Sequence, residues 1–446
     1  MSTALEGHLP PSHPLSPATA VAGLPRLGRR LAAYEPATLW DLDTSSLPRP
    51  LRAYRRRVRD FAETELRPRA LAADGGDPTV TAEVLRRAAG AGLLSDLLPA
   101  PLGSGDPRRG RFPIQLLTAL KMEELCAACG GLGLAIGAHG LGAAPLLLSG
   151  DLAAIRRHLL PVLRANRRGE VHVLAYAITE PSGGSDVEDG HGATTFRPGT
   201  VARRRAGGWS LRGRKVFISG GDIAGTVMVF AALDGEGMDS WTCFAVPTDA
   251  PGFSVGRNEL KMGQRASAAS ELVLDDVEVG DDRVVGGLRN GWALNRTVLN
   301  YSRVPVGAIA LGIARGAFED ALRFARSHRV AGQAVVQHQE TQLALAQMAI
   351  DTAAMRALVW RSARDWVPRQ ASASTTKVFC SDTAVRVCET AMELMGSHGL
   401  LHANRAEKAY RDARLTQIYE GTNQINRLAV IEDQMHELLP EEVPTP

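Results

Sequence analysis

The spacing of hydrophobic positions changes three times along the chain, and each change predicts a different kind of structure. Residues 1–45 are rich in Pro, Ser and Ala with weak periodicity, which predicts a flexible N-terminal extension. From 46 to 172, apolar residues recur at spacings of three and four, as in "LRAYRRRVRDFAETEL", a pattern typical of amphipathic helices. Between 173 and 285 the spacing becomes two in segments such as "TVMVFAAL" and "ELVLDDVEV", which predicts strands. Over 286–446 the helical spacing returns.

These segments predict an α+β protein with an N-terminal α-helical domain, a middle antiparallel β domain and a C-terminal helical bundle. In the last segment, apolar stripes at helical spacing predict long helices with short connections. One stripe contains Leu343, Ala346, Ile350, Ala353 and Ala357, and the other contains Leu428, Ile431, Met435 and Leu438. With 446 residues, 45% of them hydrophobic, the chain is long enough to bury the cores of several domains.

Composition and charge narrow the classes of partner. Lys and Arg number 51 against 48 Asp and Glu, and a net charge of +3 is too small to indicate a nucleic-acid or membrane partner. The apolar segment "GGLGLAIGAHGLGAAPLLL" has the length of a membrane span, but its glycines, His139 and Pro145 favour a buried helix. The N-terminus lacks the features of a secretory signal, and five cysteines fit a reducing compartment. We therefore expect no membrane span and a cytoplasmic location.

Several familiar catalytic and nucleotide-binding motifs are absent from the sequence. "GLGLAIG" spaces its glycines as GxGxxxG and follows a helical pattern, so it does not match the dinucleotide-binding fingerprint. The chain contains no Walker A loop, HExxH, GxSxG or EF-hand loop. Cys126 and Cys129 form a CxxC without a second pair at zinc spacing, so we expect no metal site.

Two polar loops remain as candidate sites. "YAITEPSGGSDV", from Tyr176 to Val187, places Thr, Ser and Asp among glycines, as in a loop that offers hydroxyls and backbone N–H groups to a ligand, or in an ordinary turn. "QIYEGTNQIN" places Glu420 before Gly421 at a turn between two helical patterns. Such an acid is a solvated surface group, a helix-terminus charge or a base close to a ligand, and the residues alone leave these alternatives open.

Both loops resemble signatures of the acyl-CoA dehydrogenase family. "AITEP" followed by "GGSD" resembles the first family signature, and "KVFISGG" resembles the strand after it. "MGQRASAASELVLDDVEV" resembles the second half of the family's β domain, and "ELMGSHGL" with "KAYRDARLTQIYEGTNQI" resembles its C-terminal signature. The four motifs occur in the family's order and span about residues 50 to 440. The family's three-part fold also agrees with the α, β, α pattern.

The resemblance implies FAD-dependent α,β-dehydrogenation of an acyl-CoA thioester. Glu420 would remove a proton from the α carbon, while hydride leaves the β carbon for flavin N5. A carboxylate in a water-poor cleft has a raised pKa and is a stronger base than a surface acid. Gly421 would let the backbone pass close to the substrate. Some relatives place the base just before the position of Arg303, but this chain has Ser302 there.

The resemblance also implies residues that bind cofactor and substrate. Those matching the flavin site are Tyr176, Ile178, Thr179, Phe217 and Ser219, and those matching the FAD adenosine site are Thr422 and Gln424. Those matching the substrate site are Ser185, beside the pantetheine or phosphate arm of CoA, Arg303 and Gly421. Without the resemblance, we would interpret Phe217 as an aromatic residue of the core and Thr422 as a helix cap.

The chain also departs from the family pattern. His328 and Ala331 stand where relatives carry the Arg and Phe that reach the FAD of a neighbouring subunit, and Glu393 replaces a glutamine. The segment "EDGHGATTFRPG" is longer than usual. These departures keep three alternatives open: a dehydrogenase of carrier-protein-tethered acyl groups, a flavin monooxygenase and a non-catalytic paralogue.

The expected partners are an acyl-CoA or acyl-carrier thioester and an electron-transfer flavoprotein or similar acceptor, with assembly as a homodimer or homotetramer.

Overall fold

A computed structural model describes residues 21–32, 37–96, 98–188 and 190–438. The first 20 residues of the predicted flexible extension lie outside the described residues. The described part of that extension includes the helices α1 (Arg26–Leu31) and α2 (Leu39–Ser46). Helix α2 is tied to the rest of the protein, because the Trp40 indole donates a hydrogen bond of 2.8 Å to Glu124.

The N-terminal region beyond α2 is helical, as the apolar spacing predicts. Its helices are α3 (Arg49–Phe61), α4 (Ala70–Asp74), α5 (Pro78–Gly90), α6 (Ile114–Ala128), α7 (Gly130–Leu148), α8 (Leu152–Ala154) and α9 (Leu160–Arg167). Helix α5 begins with Asp77 as N-cap, whose carboxylate accepts from the Thr79 N–H at 2.9 Å. Helices α6 and α7 are largely buried, and they form the wall that faces the other two regions.

The middle region is a sheet of eight strands with one short helix, α10 (Gly190–Thr195). The strands are β1 (Val173–Ala177), β2 (Val201–Arg205), β3 (Gly208–Ser219), β4 (Ala224–Leu233), β5 (Thr242–Pro247), β6 (Phe253–Asn258), β7 (Ala269–Gly280) and β8 (Val284–Val285). Their order is β6-β7-β3-β2-β4-β5-β8, with β1 paired to β4. Most pairs are antiparallel, as predicted, but β4 pairs in parallel with both β1 and β2.

Long helices return in the C-terminal region, with a short hairpin between the first two. The elements are α11 (Gly291–Ser327), β9 (Arg329–Val330), β10 (Gln333–Ala334), α12 (Gln339–Ser362), α13 (Gln370–Met395), α14 (Ala406–Leu415) and α15 (Asn423–Leu438). Helix α11 contacts α6 at backbone distance, since a Cβ at Gly312 or Gly316 would lie 2.5 Å or 2.3 Å from a carbonyl oxygen of α6. This order of helices, sheet and helices confirms the predicted fold class.

A buried ion-pair network joins the N-terminal helices to the C-terminal bundle. Glu123 and Glu124 of α6 accept hydrogen bonds of 2.7 Å each from Arg55 of α3. Arg315 of α11 donates to Glu124 at 2.6 Å, and Arg356 of α12 donates to Glu123 at 2.8 Å. Burial alone would raise the pKa of Glu123, but the charges of Arg356, Arg55 and Arg315 lower it to about 2. The carboxylates therefore stay ionised in the protein interior.

Among the described residues, two helices are long and apolar enough to span a membrane by length and composition, α7 (Gly130–Leu148) and α12 (Gln339–Ser362). The apolar pattern of the sequence indicated only the first of these helices as long enough for a span. In α7, 61% of the apolar window is buried inside the protein, compared with 39% in α12. Core helices of water-soluble proteins pass the same test, so these two helices are weak evidence for a membrane span.

The orientation of the predicted apolar stripe on α12 differs from the usual core-facing one. Leu343 is 66% exposed and Ile350 is 59% exposed, whereas Met348 and Met355 on the other side of the helix are buried. Leu428 and Ile431 of the second stripe are also exposed. The stripes correctly indicate helices, but helix α12 packs through a different face, which carries the buried residues Leu345, Met348, Met355 and Val359.

Candidate active site

The three regions meet around a cavity of about 670 Å³. Helices α6 and α7 form one wall of the cavity, and the loop after β1 and the end of β3 form the second. Helix α11 and the turn between α14 and α15 form the third wall. The two polar loops that the sequence singled out, more than 200 residues apart (Tyr176 and Glu420), therefore lie on the same cavity.

Glu420 lies on the turn that the sequence predicted, on the cavity wall between α14 and α15. Its φ of 56° and the φ of 80° at Gly421 are both left-handed, so the chain reverses direction sharply there. The turn is held from behind, because the Lys377 ammonium donates to the Gly421 carbonyl at 2.7 Å and Asn426 donates to it at 2.9 Å. These contacts fix the carboxylate toward the cavity.

The environment of the Glu420 carboxylate suits a base. Burial raises its pKa, and the hydrogen bond from Ser302 and the charges of Arg303 and Lys377 limit that rise. The Ser302 hydroxyl donates directly to the Glu420 carboxylate. The position where some relatives carry the base is thus in contact with the position where this chain carries Glu420.

Glu188 is a second buried acid at the site, and none of the motifs in the sequence indicated it. It lines the cavity, and Arg303 donates to its carboxylate at 3.1 Å. A Cβ on Gly421 would lie 2.2 Å from Glu188 Oε2, so this carboxylate as well as the positive φ requires glycine there. Burial raises the pKa of Glu188 to about 7, against the opposing charge of Arg303. The only sequence signal was its place in the lengthened segment after "GGSD".

One part of the cavity wall fits the flat, partly polar ring system of a flavin. It is formed by Ile178, Thr179, Phe217 and Ser219. Phe217 is 60% exposed and has a φ of 60°, so an aromatic ring is held at the cavity surface by a left-handed backbone. Among the described residues, the hydroxyls of Thr179 and Ser219 have no hydrogen-bond partner and line the cavity. An apolar ring face beside free hydroxyls offers both stacking and hydrogen bonds to such a ligand.

A buried ion pair supports this wall from behind. The Lys215 ammonium donates to Glu180 at 2.8 Å and to the Ile178 carbonyl at 3.0 Å. Glu180 also accepts from the Thr200 N–H at 3.2 Å, which ties the loop after β1 to the following strand. In the motif "AITEP", the glutamate therefore positions the loop rather than a ligand.

The other predicted site residues have different surroundings. Tyr176 lines the cavity but is largely buried, and its hydroxyl donates to Asn295. Ser185 lines the cavity and accepts from the Thr422 N–H at 3.3 Å. Thr422 lines the cavity and caps α15, with its hydroxyl accepting from Ile425 N–H at 3.3 Å.

Two predicted site residues do not reach the cavity wall. Gln424 is exposed on the first turn of α15. Arg303 is buried behind the wall, where it bonds Glu188 and the Ser374 hydroxyl, the latter at 3.1 Å. Arg303 therefore acts on the site through its bond to Glu188 and through its charge, which lowers the pKa of Glu420. The roles assigned to all of these residues by resemblance stay predictions.

The residues that depart from the family pattern lie at the hairpin after α11 and the end of α13. The His328 ring stacks on Phe324 with ring centres 4.6 Å apart and lies 4.7 Å from the His398 ring. Ala331 occupies the hairpin turn with a φ of 51°. Glu393 is exposed. Within this chain none of the three lies on the wall of the cavity described above.

Within the part of the chain that the structure describes, one group of side chains has the spacing of metal ligands, namely Asp74, His402 and Glu407. Arg411 occupies both carboxylates, at 2.7 Å from Asp74 and 2.6 Å from Glu407. A guanidinium already balances the charge that a metal ion would balance. We therefore assign this group a structural role in joining α4 to α14.

Comparisons with known proteins match the whole three-part arrangement. Family models of the acyl-CoA dehydrogenase N-terminal, middle and C-terminal domains match residues 50–166, 175–277 and 289–435. A cyclohexane-1-carbonyl-CoA dehydrogenase from Geobacter metallireducens is 33% identical over 383 residues, covering 85% of this chain and 96% of the relative.

Solved structures give the same result. Butyryl-CoA dehydrogenase from Megasphaera elsdenii superposes with a TM-score of 0.79 at 27% identity, covering 87% of this chain and 99% of that one. An acyl-CoA dehydrogenase from Bacillus anthracis, solved in complex with FAD, has a TM-score of 0.78 at 26% identity and covers 92% of this chain and 71% of that one. With all three domain models matched in order, this chain is a member of the acyl-CoA dehydrogenase family of FAD-dependent oxidoreductases.

Proposed function

We propose that the chain oxidises the α,β carbon bond of an acyl-CoA thioester with Glu420 as the base. The observation that carries this proposal is the Glu420 carboxylate on the cavity wall, hydrogen-bonded to Ser302, with a pKa raised by burial. A carboxylate with a raised pKa holds a transferred proton better than a surface acid does.

In the proposed reaction, the α C–H bond breaks and its proton goes to Glu420, while the β carbon loses hydride. When bound, FAD would supply the two-electron acceptor for that hydride. Thr179, Phe217 and Ser219 would hold its ring system against the cavity. The double bond forms between the α and β carbons, and an electron-transfer flavoprotein or similar acceptor would reoxidise the cofactor.

The test is anaerobic flavin reduction by a panel of acyl-CoA thioesters, compared between the parent and Glu420→Gln. Glutamine keeps the volume of glutamate but cannot take the proton, so FAD content should stay the same. The rate of reduction should fall by roughly 10²-fold to 10⁴-fold. Single-turnover rates normalised to bound FAD measure this loss directly.

Other results would favour the alternatives. A Glu420→Gln protein that reduces its flavin within about threefold of the parent rate would remove Glu420 from the mechanism, because that loss is far below the worth of a general base. Protein that cannot be loaded with FAD would favour the non-catalytic paralogue. Hydroxylated product formed with oxygen would favour the monooxygenase.

A further inference from the structure

Arg109 is a buried cation on the wall of the cavity, and the proposed dehydrogenation does not use it. It ends a short 3-10 helix, Pro107–Arg109, in the connection between α5 and α6. Its residue surface is 4% exposed. Among the described residues that line the cavity, it is the sole Lys or Arg side chain.

The Arg109 guanidinium stacks on an aromatic ring without an ionic partner. Its central carbon lies 4.1 Å from the centre of the Tyr54 ring. In the part of the chain that the structure describes, no carboxylate or hydrogen-bond acceptor lies within bonding distance of its side-chain nitrogens. Stacking on a ring compensates only part of the free-energy cost of burying a cation.

The acids nearest to Arg109 in sequence and space are already bound by other groups. Asp96 accepts from the Tyr54 hydroxyl and from the Lys121 ammonium, each at 2.7 Å. Asp106 pairs with the exposed Arg108 at 2.7 Å. Around Arg109, these two acids are thus balanced by Lys121 and Arg108, and one positive charge is left over.

The remaining acids on the described cavity wall do not balance that charge either. Glu188 is bound by Arg303, and the positive charges that act on Glu420 are those of Arg303 and Lys377. Asp365 is exposed to solvent and has no ion pair within the described residues. Arginine cannot lose its proton in a protein, so the unbalanced charge at Arg109 calls for an anionic ligand.

We propose that Arg109 is the binding site for a carboxylate at the far end of the acyl chain, so that the substrates are acyl-CoA thioesters carrying a terminal carboxylate. The planar guanidinium matches a carboxylate with two parallel hydrogen bonds. Apolar residues such as Met122, Leu134 and Leu141 line the same cavity and suit the methylene groups between the two ends of the substrate. This inference rests on the proposed function, but the carboxylate only binds and takes no part in the reaction.

The experiment uses the FAD-loaded protein with matched pairs of acyl-CoA thioesters. Each pair has the same chain length, and an isopropyl group replaces the terminal carboxylate in one member. We expect kcat/KM for flavin reduction to favour the carboxylate by roughly 10- to 100-fold, the worth of a hydrogen bond to a charged group. Arg109→Met should abolish or reverse this preference, whereas the control Arg111→Met, at an exposed arginine outside the cavity wall, should keep it.

A binding measurement separates the subsite from the chemistry. Calorimetric titration with a CoA thioether that ends in a carboxylate and cannot react should show at least about tenfold weaker binding to Arg109→Met than to the parent. Arg109→Lys keeps the positive charge but cannot form the bidentate hydrogen bonds, so it should bind the thioether with intermediate affinity. This variant serves as the test if Arg109→Met does not fold.

Two outcomes would overturn the subsite while leaving the proposed function intact. One is equal kcat/KM for both members of every pair, and the other is thioether binding that Arg109→Met leaves unchanged. If no acyl-CoA reduces the flavin of a loaded protein, the proposed function fails, and the thioether titration alone decides the subsite.

Discussion

Glu188 places a second carboxyl group beside the candidate base, between Arg303 and the Gly421 backbone. Two acids in one buried site compete for the same compensating charges, here Arg303 and Lys377. The balance leaves Glu188 with a pKa of about 7, far above an ordinary glutamate. Near neutral pH, the charge of the site therefore depends on the protonation of this residue.

The raised pKa of Glu188 predicts how stability depends on pH. The folded protein holds this proton up to about pH 7, whereas the unfolded chain releases it near the ordinary glutamate pKa of 4.5. The resulting stabilisation is complete below the lower value and is lost as the pH rises through the higher one. From about pH 5 to about pH 8, the parent should lose up to about 3 kcal/mol of unfolding free energy relative to Glu188→Gln.

Denaturant unfolding of both proteins across this pH range measures the difference. Glu278→Gln, at an exposed acid on β7, is the matched control and should follow the parent at every pH. If the difference in unfolding free energy between the parent and Glu188→Gln is the same at every pH, then Glu188 does not titrate in this pH range.

Ser302 acts on the proposed base, Glu420, through one hydrogen bond. Its hydroxyl donates to the Glu420 carboxylate and so stabilises the ionised form, which lowers the pKa. A base must be ionised to accept a proton, so flavin reduction should rise with pH through the pKa of Glu420. In Ser302→Ala this rise should move to higher pH, with a lower rate on the acid side and recovery on the alkaline side.

The pH profile of kcat/KM for flavin reduction tests this prediction. Thr297→Ala is the control, because Thr297 is exposed on the same helix and bonds only a carbonyl of its own turn. If kcat/KM of Ser302→Ala is lower than that of the parent by the same factor at every pH, Ser302 positions the Glu420 carboxylate and does not shift its pKa.

At the scale of elements, the buried charges on α6 decide how the helical regions are joined. Glu123 accepts from Arg55 and Arg356, which lie on two other helices, so one carboxylate links α3, α6 and α12. Removing one partner from such a pair leaves a buried charge without compensation. Glu123→Gln should therefore lower the unfolding free energy by about 3–5 kcal/mol.

Denaturant unfolding checks this value, with the exposed Glu340→Gln on α12 as control. The lowered pKa of Glu123 gives a second check. Its stabilisation is complete above the unfolded value of 4.5 and is lost as the pH falls toward about 2. The difference in unfolding free energy between the parent and Glu123→Gln should become smaller over that pH interval. A difference that does not change would contradict the assigned charge of Glu123.

At the scale of the whole molecule, the exposed apolar stripe on α12 predicts association with a second copy of the chain. Leu343 and Ile350 are both more than half exposed, and Leu428 on α15 is also exposed. Large exposed apolar patches mark interaction surfaces. The parent should sediment as a dimer or tetramer at micromolar concentration, and Ile350→Glu should shift it toward the monomer.

Leu152→Glu is the control for this experiment, because Leu152 is even more exposed than Ile350 but lies in the N-terminal region on α8. It should leave the sedimentation coefficient unchanged. A parent that sediments as a strict monomer, or an Ile350→Glu variant that sediments like the parent, would rule out this face as the contact.

Short-range patterns in the sequence were enough to predict the three-part fold and the turn at Glu420. Helical and strand spacings depend on which residues share a face, and that information is local. The loops at Tyr176 and Glu420 were likewise identified from their own residues and their resemblance to family signatures. The α12 stripe shows the limit of this information, because spacing identifies a helix but does not say which face a neighbouring helix covers.

Tertiary structure alone decided which charged groups face one another. Glu188 reaches Arg303 and Gly421 across 115 and 233 positions of the sequence, and Ser302 reaches Glu420 across 118. The unbalanced charge of Arg109 likewise follows from Asp96 being bound by Lys121 and Asp106 by Arg108. A pKa or a free charge depends on burial and on partners brought together by folding, so no local pattern could have predicted these features.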